Sequence, residues 1–365
     1  MATVYLARAK GMAGFEREVA IKVCHPHLTG EDSFKRMFLD EARLAGRIRH
    51  PNVVSTYDVG EEGGQLYLVM DYIDGEPLSR LLRSARNANA AIPPAIALRV
   101  VVDALHGLHA AHELTDASGK SLELVHRDVS PQNLMVGVDG VVRLLDFGVS
   151  KAASHTTTTR EGELKGKLSY MAPELLHGRT VGRFTDIYAM GVVLWETLTG
   201  RRLFRGESEG DVVMSILNAE IPRPSSERAE VSQGLDAVVA KALHRQPSLR
   251  YATAADFAEA IERCGASIAT RQEVAAFVND WASESIASRR RTLAKALDEK
   301  AIAEEAPRSA DPPPPSSFRP RRRHVIIAAI LMLAGSSLAA LWIGGSGGEG
   351  SLPAGADIRG ADGAL

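Results

Sequence analysis

One stretch constrains this chain more than any other. It runs Val125-His126-Arg127-Asp128-Val129-Ser130-Pro131-Gln132-Asn133 and continues, across a strand–turn–strand unit turning at Gly137 to Gly140, into Leu145-Asp146-Phe147-Gly148. Asp128 and Asp146 lie 18 positions apart. Upstream, Thr3 to Ala7 and Glu18 to Val23 read as strands joined by a glycine-containing turn, and the second ends in Val19-Ala20-Ile21-Lys22. Ser33 is placed to cap a helix whose Phe34, Met37 and Phe38 form an apolar stripe; Glu41 occupies the next position on that face, 19 residues after Lys22. A carboxylate in a buried stripe needs a partner, because an unpaired buried charge is costly, and Lys22 is the candidate.

The flanking text sets the organisation. A formal net charge of −2 lacks the basic excess of a nucleic-acid binder, so no nucleic-acid partner is expected. Two distant cysteines, Cys24 and Cys264, build neither a disulfide framework nor a zinc site, and the N-terminus lacks the pattern of a secretory signal. His106, His109 and His112 recur every three residues with no carboxylate or cysteine beside them, a helix face rather than a metal site. Residues 266–306 read as a helical extension, with Val274, Phe277, Val278 and Trp281 at helical spacing. It packs on the globular domain or, alternatively, mediates dimerisation. A Pro/Arg-rich linker, 307–324, precedes an uncharged apolar run from Val325 to Ile343. As a helix that run spans roughly 28 Å, close to the thickness of a bilayer's hydrocarbon core. Arg319 and Arg321 to Arg323 on its N-terminal flank put the globular domain in the cytoplasm and the tail, 344–365, outside. The expected location is therefore the bacterial inner membrane, single-pass. Gly335 and Ala339 form a small-xxx-small pair through which two copies would approach as a homodimer.

Taken in order, Val-Ala-Ile-Lys, the helical glutamate, His-Arg-Asp with its asparagine, Asp-Phe-Gly and Ala172-Pro173-Glu174 resemble the motifs of eukaryotic-like (Hanks-type) bacterial serine/threonine protein kinases. The resemblance extends through Asp186-Ile187-Tyr188-Ala189-Met190-Gly191 to Arg250, and so covers roughly residues 1–265. It implies an α+β, bilobal kinase fold, with a small β-rich N-lobe to about residue 73, lacking its first strand, and a larger α-helical C-lobe over 74–265. It also implies ATP and Mg2+ as cofactors and proteins with Ser or Thr acceptors as partners. Asp128 would accept the acceptor hydroxyl's proton, and Asn133 and Asp146 would hold Mg2+. Lys22, oriented by Glu41, would hold the α/β-phosphates. Val4, Ala20, Met70, Asp71 and Ile73 would line the nucleotide pocket, the last three at the hinge after the strand Leu66 to Met70. Arg127 would dock a phosphorylated activation segment, for which Thr156, Thr157, Thr158 and Thr159 are the expected sites.

The sequence departs from the family pattern in three places. Of the glycine-rich phosphate loop only the end is present, Ala2 at its last glycine position and Val4 at its closing valine. The expectation is a natural start further upstream. Ser130 stands where serine/threonine members usually carry lysine, and Lys167 where threonine is usual. Either the two groups around Asp128 have exchanged positions, making Ser130 and Lys167 catalytic, or both positions have drifted. Two functions follow: an active membrane-anchored kinase, favoured by Lys22, Asp128, Asn133 and Asp146 together, or an impaired pseudokinase serving as a nucleotide-binding scaffold, favoured by the shortened loop.

Overall fold

The computed structural model describes residues 2–11, 15–25, 32–147 and 167–305, leaving aside the side chains of residues 10, 32, 33, 41 and 296–305. The sequence first builds an antiparallel sheet. Strand β1 (Ala2–Lys10) pairs with β2 (Glu16–Cys24), and β2 with β4 (Gln65–Asp71), which also pairs with β3 (Thr56–Glu62). The strands run several residues beyond their apolar cores because the ladder continues with polar pairs such as Arg8 opposite Glu18. Helix α1 (Asp32–Ala45) lies on this sheet with Phe34 and Phe38 buried in a cluster shared with Ala20, Leu68 and Met70. Among the described residues this four-stranded sheet and α1 make the smaller lobe.

A second, three-stranded sheet of β5 (Gly75–Pro77), β6 (Leu134–Gly137) and β7 (Val142–Leu144) opens the helical lobe. Its helices are α2 (Leu78–Asn87), α3 (Pro94–His112), α4 (Pro173–Leu176), α5 (Arg183–Thr199), α6 (Glu209–Asn218), α7 (Pro224–Glu227), α8 (Gly234–Ala242) and α9 (Ala254–Arg263). Helix α5 is buried almost all round, which an apolar sequence permits only inside a core. Two acids nonetheless lie on it, Asp186 and Glu196, 1% and 0% exposed.

The last described helix, α10, spans Arg271–Glu305. It starts five residues later than apolar periodicity alone suggests because Gly265 takes φ +76° and Thr270 forms a reciprocal cap with Glu273. Val274, Phe277, Val278, Ala282 and Ile286 bury its stripe in the C-lobe core, which is the packed alternative of the two expected. Gly140, at φ +73° in the β6–β7 turn, is required there: an added Cβ would lie 1.9 Å from the Arg271 carbonyl oxygen. The polar side of α10 grips the chain just after β4. Arg289 and Ser285 bond Glu76, and Arg290 bonds Asp74 with its Nε 2.8 Å from Oδ2. Among the described residues no helix is long and apolar enough to cross a membrane, and the run 325–343 lies outside them.

Candidate active site

The catalytic geometry begins with a buried carboxylate. Asp186 accepts the backbone N–H of His126 at 2.7 Å on Oδ2 and that of Arg127 at 2.8 Å on Oδ1, while His112 Nε2 lies 2.8 Å from Oδ2. Burial pushes the Asp186 carboxyl up, but the His112 hydrogen bond and the nearby His126 outweigh it and hold it below the ordinary value. These bonds fix Arg127 at φ +62°, a left-handed conformation that costs a non-glycine residue about 1–3 kcal/mol. The next residue, Asp128, is thereby aimed into the cleft.

His126 ties this loop to the second one. Its Nδ1 accepts the Asp128 N–H at 3.3 Å, so Nε2 carries the proton and donates to the Leu145 carbonyl at 2.9 Å. Its ring also lies 4.7 Å from that of Phe147. The short β6–β7 ladder completes the convergence. Leu134 pairs with Leu144, so the flanking Leu145 N–H bonds the Asn133 carbonyl at 2.9 Å. Asp146 follows at φ +49°, and Asn133 Nδ2 donates to the Asp128 carbonyl at 2.7 Å.

The upper lobe supplies the opposing charge. Lys22 Nζ lies 2.9 Å from Asp146 Oδ1, both side chains partly exposed. The Lys22–Glu41 pairing lies outside the described residues, since the Glu41 side chain is not among them. Above these groups Ala20 and Met70 face one another across β2 and β4, in one apolar cluster with Val4, Ile73 and Leu145. Leu145 had no place in the sequence expectation. Asp71 turns its carboxylate to Arg17, 2.5 Å away, rather than to the pocket side of the hinge.

The two departures from the family pattern behave differently. Lys167 Nζ lies 3.2 Å from Asp128 Oδ2. Ser130 is 2% exposed, and its hydroxyl makes no hydrogen bond among the described residues. The expected exchange is therefore one-sided: the ammonium reaches Asp128, the hydroxyl does not. A shallow recess opens beside them, lined by Arg127, Asp128, Lys167, Met171 and Leu175 among others. Below it, Glu174 and Arg250 form a two-pronged pair, both bonds 2.8 Å, sealed from solvent and completed by Thr185 and backbone carbonyls. Thr156 to Thr159 lie outside the described residues; Arg127 is exposed at the cleft.

An Mg2+ ion suits oxygen donors and uses one or two protein groups plus substrate phosphates. Asp146 and Asn133 suit such a site: the Asn133 backbone bonds Leu145, the residue before Asp146, and the bond from Asn133 Nδ2 to the Asp128 carbonyl leaves its amide oxygen as an acceptor. Among the described residues no cluster of three or more His, Cys, Asp or Glu is arranged to hold a metal alone.

A two-lobed fold with a lysine from the sheet, a base on a strained loop and an oxygen-donor pair defines a phosphotransferase cleft. The chain matches the protein kinase domain family over residues 1–261 and belongs to it. It is 44% identical over 262 residues to the tyrosine-protein kinase MasK of Myxococcus xanthus, covering 72% of this chain and 41% of that protein. It is also 36% identical over 256 residues to the serine/threonine-protein kinase PrkC of Bacillus subtilis, 70% of this chain and 37% of the other. The chain thus spans about two fifths of the length of these relatives. Among solved structures it is similar to the PknI kinase domain of Mycobacterium tuberculosis, with TM-score 0.54 and 28% identity over 72% of this chain and 90% of that one. The resemblance to bacterial Hanks-type kinases read from the motifs holds.

What the sequence reading missed is the support beneath the site. His112 and Asp186 were visible as residues but not as a pair, since they lie 74 positions apart. An acid inside the apolar run of α5 was the available signal, by the same rule that singled out Glu41.

Proposed function

We propose that this protein transfers the γ-phosphoryl group of ATP to serine or threonine hydroxyls of proteins. The observation that carries the proposal is the convergence of Lys22, Asp146, Asn133 and Asp128 on one cleft, with Lys22 and Asp146 already in contact across the lobes. Asp128 takes the acceptor's proton. Asn133 and Asp146 would hold Mg2+, which would neutralise phosphate charge, and Lys22, now at Asp146, would serve the α/β-phosphates. Val4, Ala20, Met70 and Ile73 enclose the adenine against backbone groups of the hinge. A second reading has tyrosine as the acceptor, favoured by the relative of that name at 44% identity. The third, a scaffold without transfer, is opposed by the retained quartet of reactive side chains.

The full-length chain incubated with radiolabelled ATP and Mg2+, then hydrolysed to phosphoamino acids, separates the three. Label on serine or threonine is expected. Label on tyrosine alone favours the second reading, and no label on the protein or on a generic substrate favours the scaffold.

Two further proposals concern its setting. The run Val325 to Ile343 anchors the protein in the cytoplasmic membrane with the kinase domain inside; protease added to intact cells should leave that domain whole, and its digestion would reverse the orientation. Phosphorylation of one or more of Thr156 to Thr159 raises activity through Arg127; phosphopeptide mapping of active protein should find occupancy in this run, and full activity without any counts against it.

A further inference from the structure

We infer that Lys167 is a catalytic residue, the cation at the transferring phosphate on the acceptor side of the cleft. The inference rests on the proposed kinase activity and adds to it a group from outside the catalytic loop. Three observations carry it. The Lys167 ammonium is 3.2 Å from Asp128 Oδ2, with both side chains partly open to the cleft at 32% and 16% exposure. Within the catalytic loop itself, Ser130 offers nothing to the site: it is buried and its hydroxyl makes no bond among the described residues. And Lys167 is held in place by the same helix that holds Asp128.

That last point follows from the hydrogen bonds. The Lys167 carbonyl accepts the Tyr170 N–H at 3.2 Å, closing a turn. The Tyr170 hydroxyl, buried, donates to Glu196 Oε2 at 2.7 Å and accepts from Arg202 NH1 at 2.9 Å. Glu196 is on α5, three turns along from Asp186, which fixes the base loop. One buried helix therefore anchors the Asp128 loop at one end and the turn that carries Lys167 at the other.

The chemistry needs such a cation. The acceptor oxygen sits within about 2.6–3.2 Å of Asp128, and the γ-phosphorus about 3–3.5 Å beyond it. As the new O–P bond forms, the acceptor proton passes to Asp128. The bond from the γ-phosphorus to the β–γ bridging oxygen breaks, and its electron pair leaves with ADP. Negative charge spreads over the equatorial phosphoryl oxygens. A lysine ammonium has three donors, so Lys167 keeps one on Asp128 and turns another to those oxygens. Lys22, at Asp146 on the far side, serves the α/β-phosphates instead.

The test compares full-length Lys167→Thr, Lys167→Arg and the double variant Ser130→Lys with Lys167→Thr. Steady-state transfer is measured with ATP and a generic protein substrate. Lys167→Thr should lose on the order of 10²- to 10³-fold in kcat, with the KM for ATP nearly unchanged. Lys167→Arg, which keeps the charge, should retain at least about a tenth of the wild-type rate, and the double variant should exceed Lys167→Thr by at least about tenfold. A Lys167→Thr rate within about threefold of wild type overturns the inference. So does a Lys167→Arg rate as low as that of Lys167→Thr, because charge then does not matter; this comparison decides even where the double variant fails to fold. Absence of transfer by the wild-type protein overturns the kinase reading itself, a different result from either.

Discussion

Helix α5 carries two buried carboxylates, and they are treated in opposite ways. Asp186 receives two backbone N–H groups and His112 and is held below the usual carboxylate range. Glu196 receives the Tyr170 hydroxyl and one backbone N–H from Leu203, with the Arg202 guanidinium 3.8 Å away, and burial wins: its carboxyl is pushed up. Both are cut off from water to nearly the same extent. The difference is the number of close hydrogen-bond partners, three at Asp186 against two at Glu196, which sets the direction in which burial and bonding together move each carboxyl. The one held below its ordinary value holds a strained loop; the one pushed up holds a turn with ordinary backbone. The Asp128 loop hangs from one and the turn that carries Lys167 from the other, so the proposed mechanism calls on both.

The largest consequence falls on Asp186. In Asp186→Asn a single amide oxygen replaces two acceptors that serve different donors, so at least one buried N–H loses its partner. The expected loss is about 1–3 kcal/mol in urea unfolding, with a large fall in transfer rate as the Arg127 backbone relaxes. Glu196→Gln keeps an acceptor for Leu203 and should cost less, about 1 kcal/mol or below. Equal losses at the two positions would break the contrast.

The two acids also shape the pH dependence of stability in opposite directions. Asp186 has a lowered folded-state pKa, so its contribution is complete above the unfolded value near 3.8 and disappears as pH falls through the folded value. Glu196 has a raised one, so its contribution is complete below the unfolded value near 4.5 and is lost as pH rises through the folded value. Urea midpoints across acid pH should therefore show Asp186→Asn flattening the acid side and Glu196→Gln flattening the decline above pH 4.5. A Glu196→Gln profile parallel to wild type would mean that Glu196 titrates normally.

A smaller effect belongs to Tyr170. Tyr170→Phe removes the link between Glu196 and the Lys167 turn while keeping the ring's packing. It should lower kcat several-fold, less than Lys167→Thr, and leave the KM for ATP near wild type. A rate equal to wild type would show that the turn holds Lys167 without that hydroxyl.

The sequence made the reactive groups legible because each sits in a short run with a strong local signal. Asp128, Asn133 and Asp146 are spaced by a hairpin, and Lys22 closes an apolar strand. The stripe of α10 was legible for the same reason, since Val274, Phe277 and Val278 recur within two turns. The supports were not. Asp186 meets His112, Glu196 meets Tyr170, and Glu76 meets Arg289 across separations of 74, 26 and 213 positions, and periodicity within one element says nothing about partners in another. The regular spacing of His106, His109 and His112 described one helix face yet hid that His112 alone reaches a buried acid. Ser130 and Lys167 were legible as departures, but only three-dimensional placement separated the one that reaches Asp128 from the one that does not.

The most direct measurement sets Asp128→Asn beside Asp186→Asn in one preparation, recording thermal midpoint and phosphoryl transfer for each. If the cleft carboxylate reacts and the buried one builds, Asp128→Asn loses transfer by about 10³-fold or more, within the range for removal of a catalytic base, while its midpoint stays within about 2 °C of wild type. Asp186→Asn then loses several degrees as well as rate. An Asp128→Asn protein that still transfers phosphate at a wild-type rate would contradict the assignment of the base, and with it the reading of this cleft.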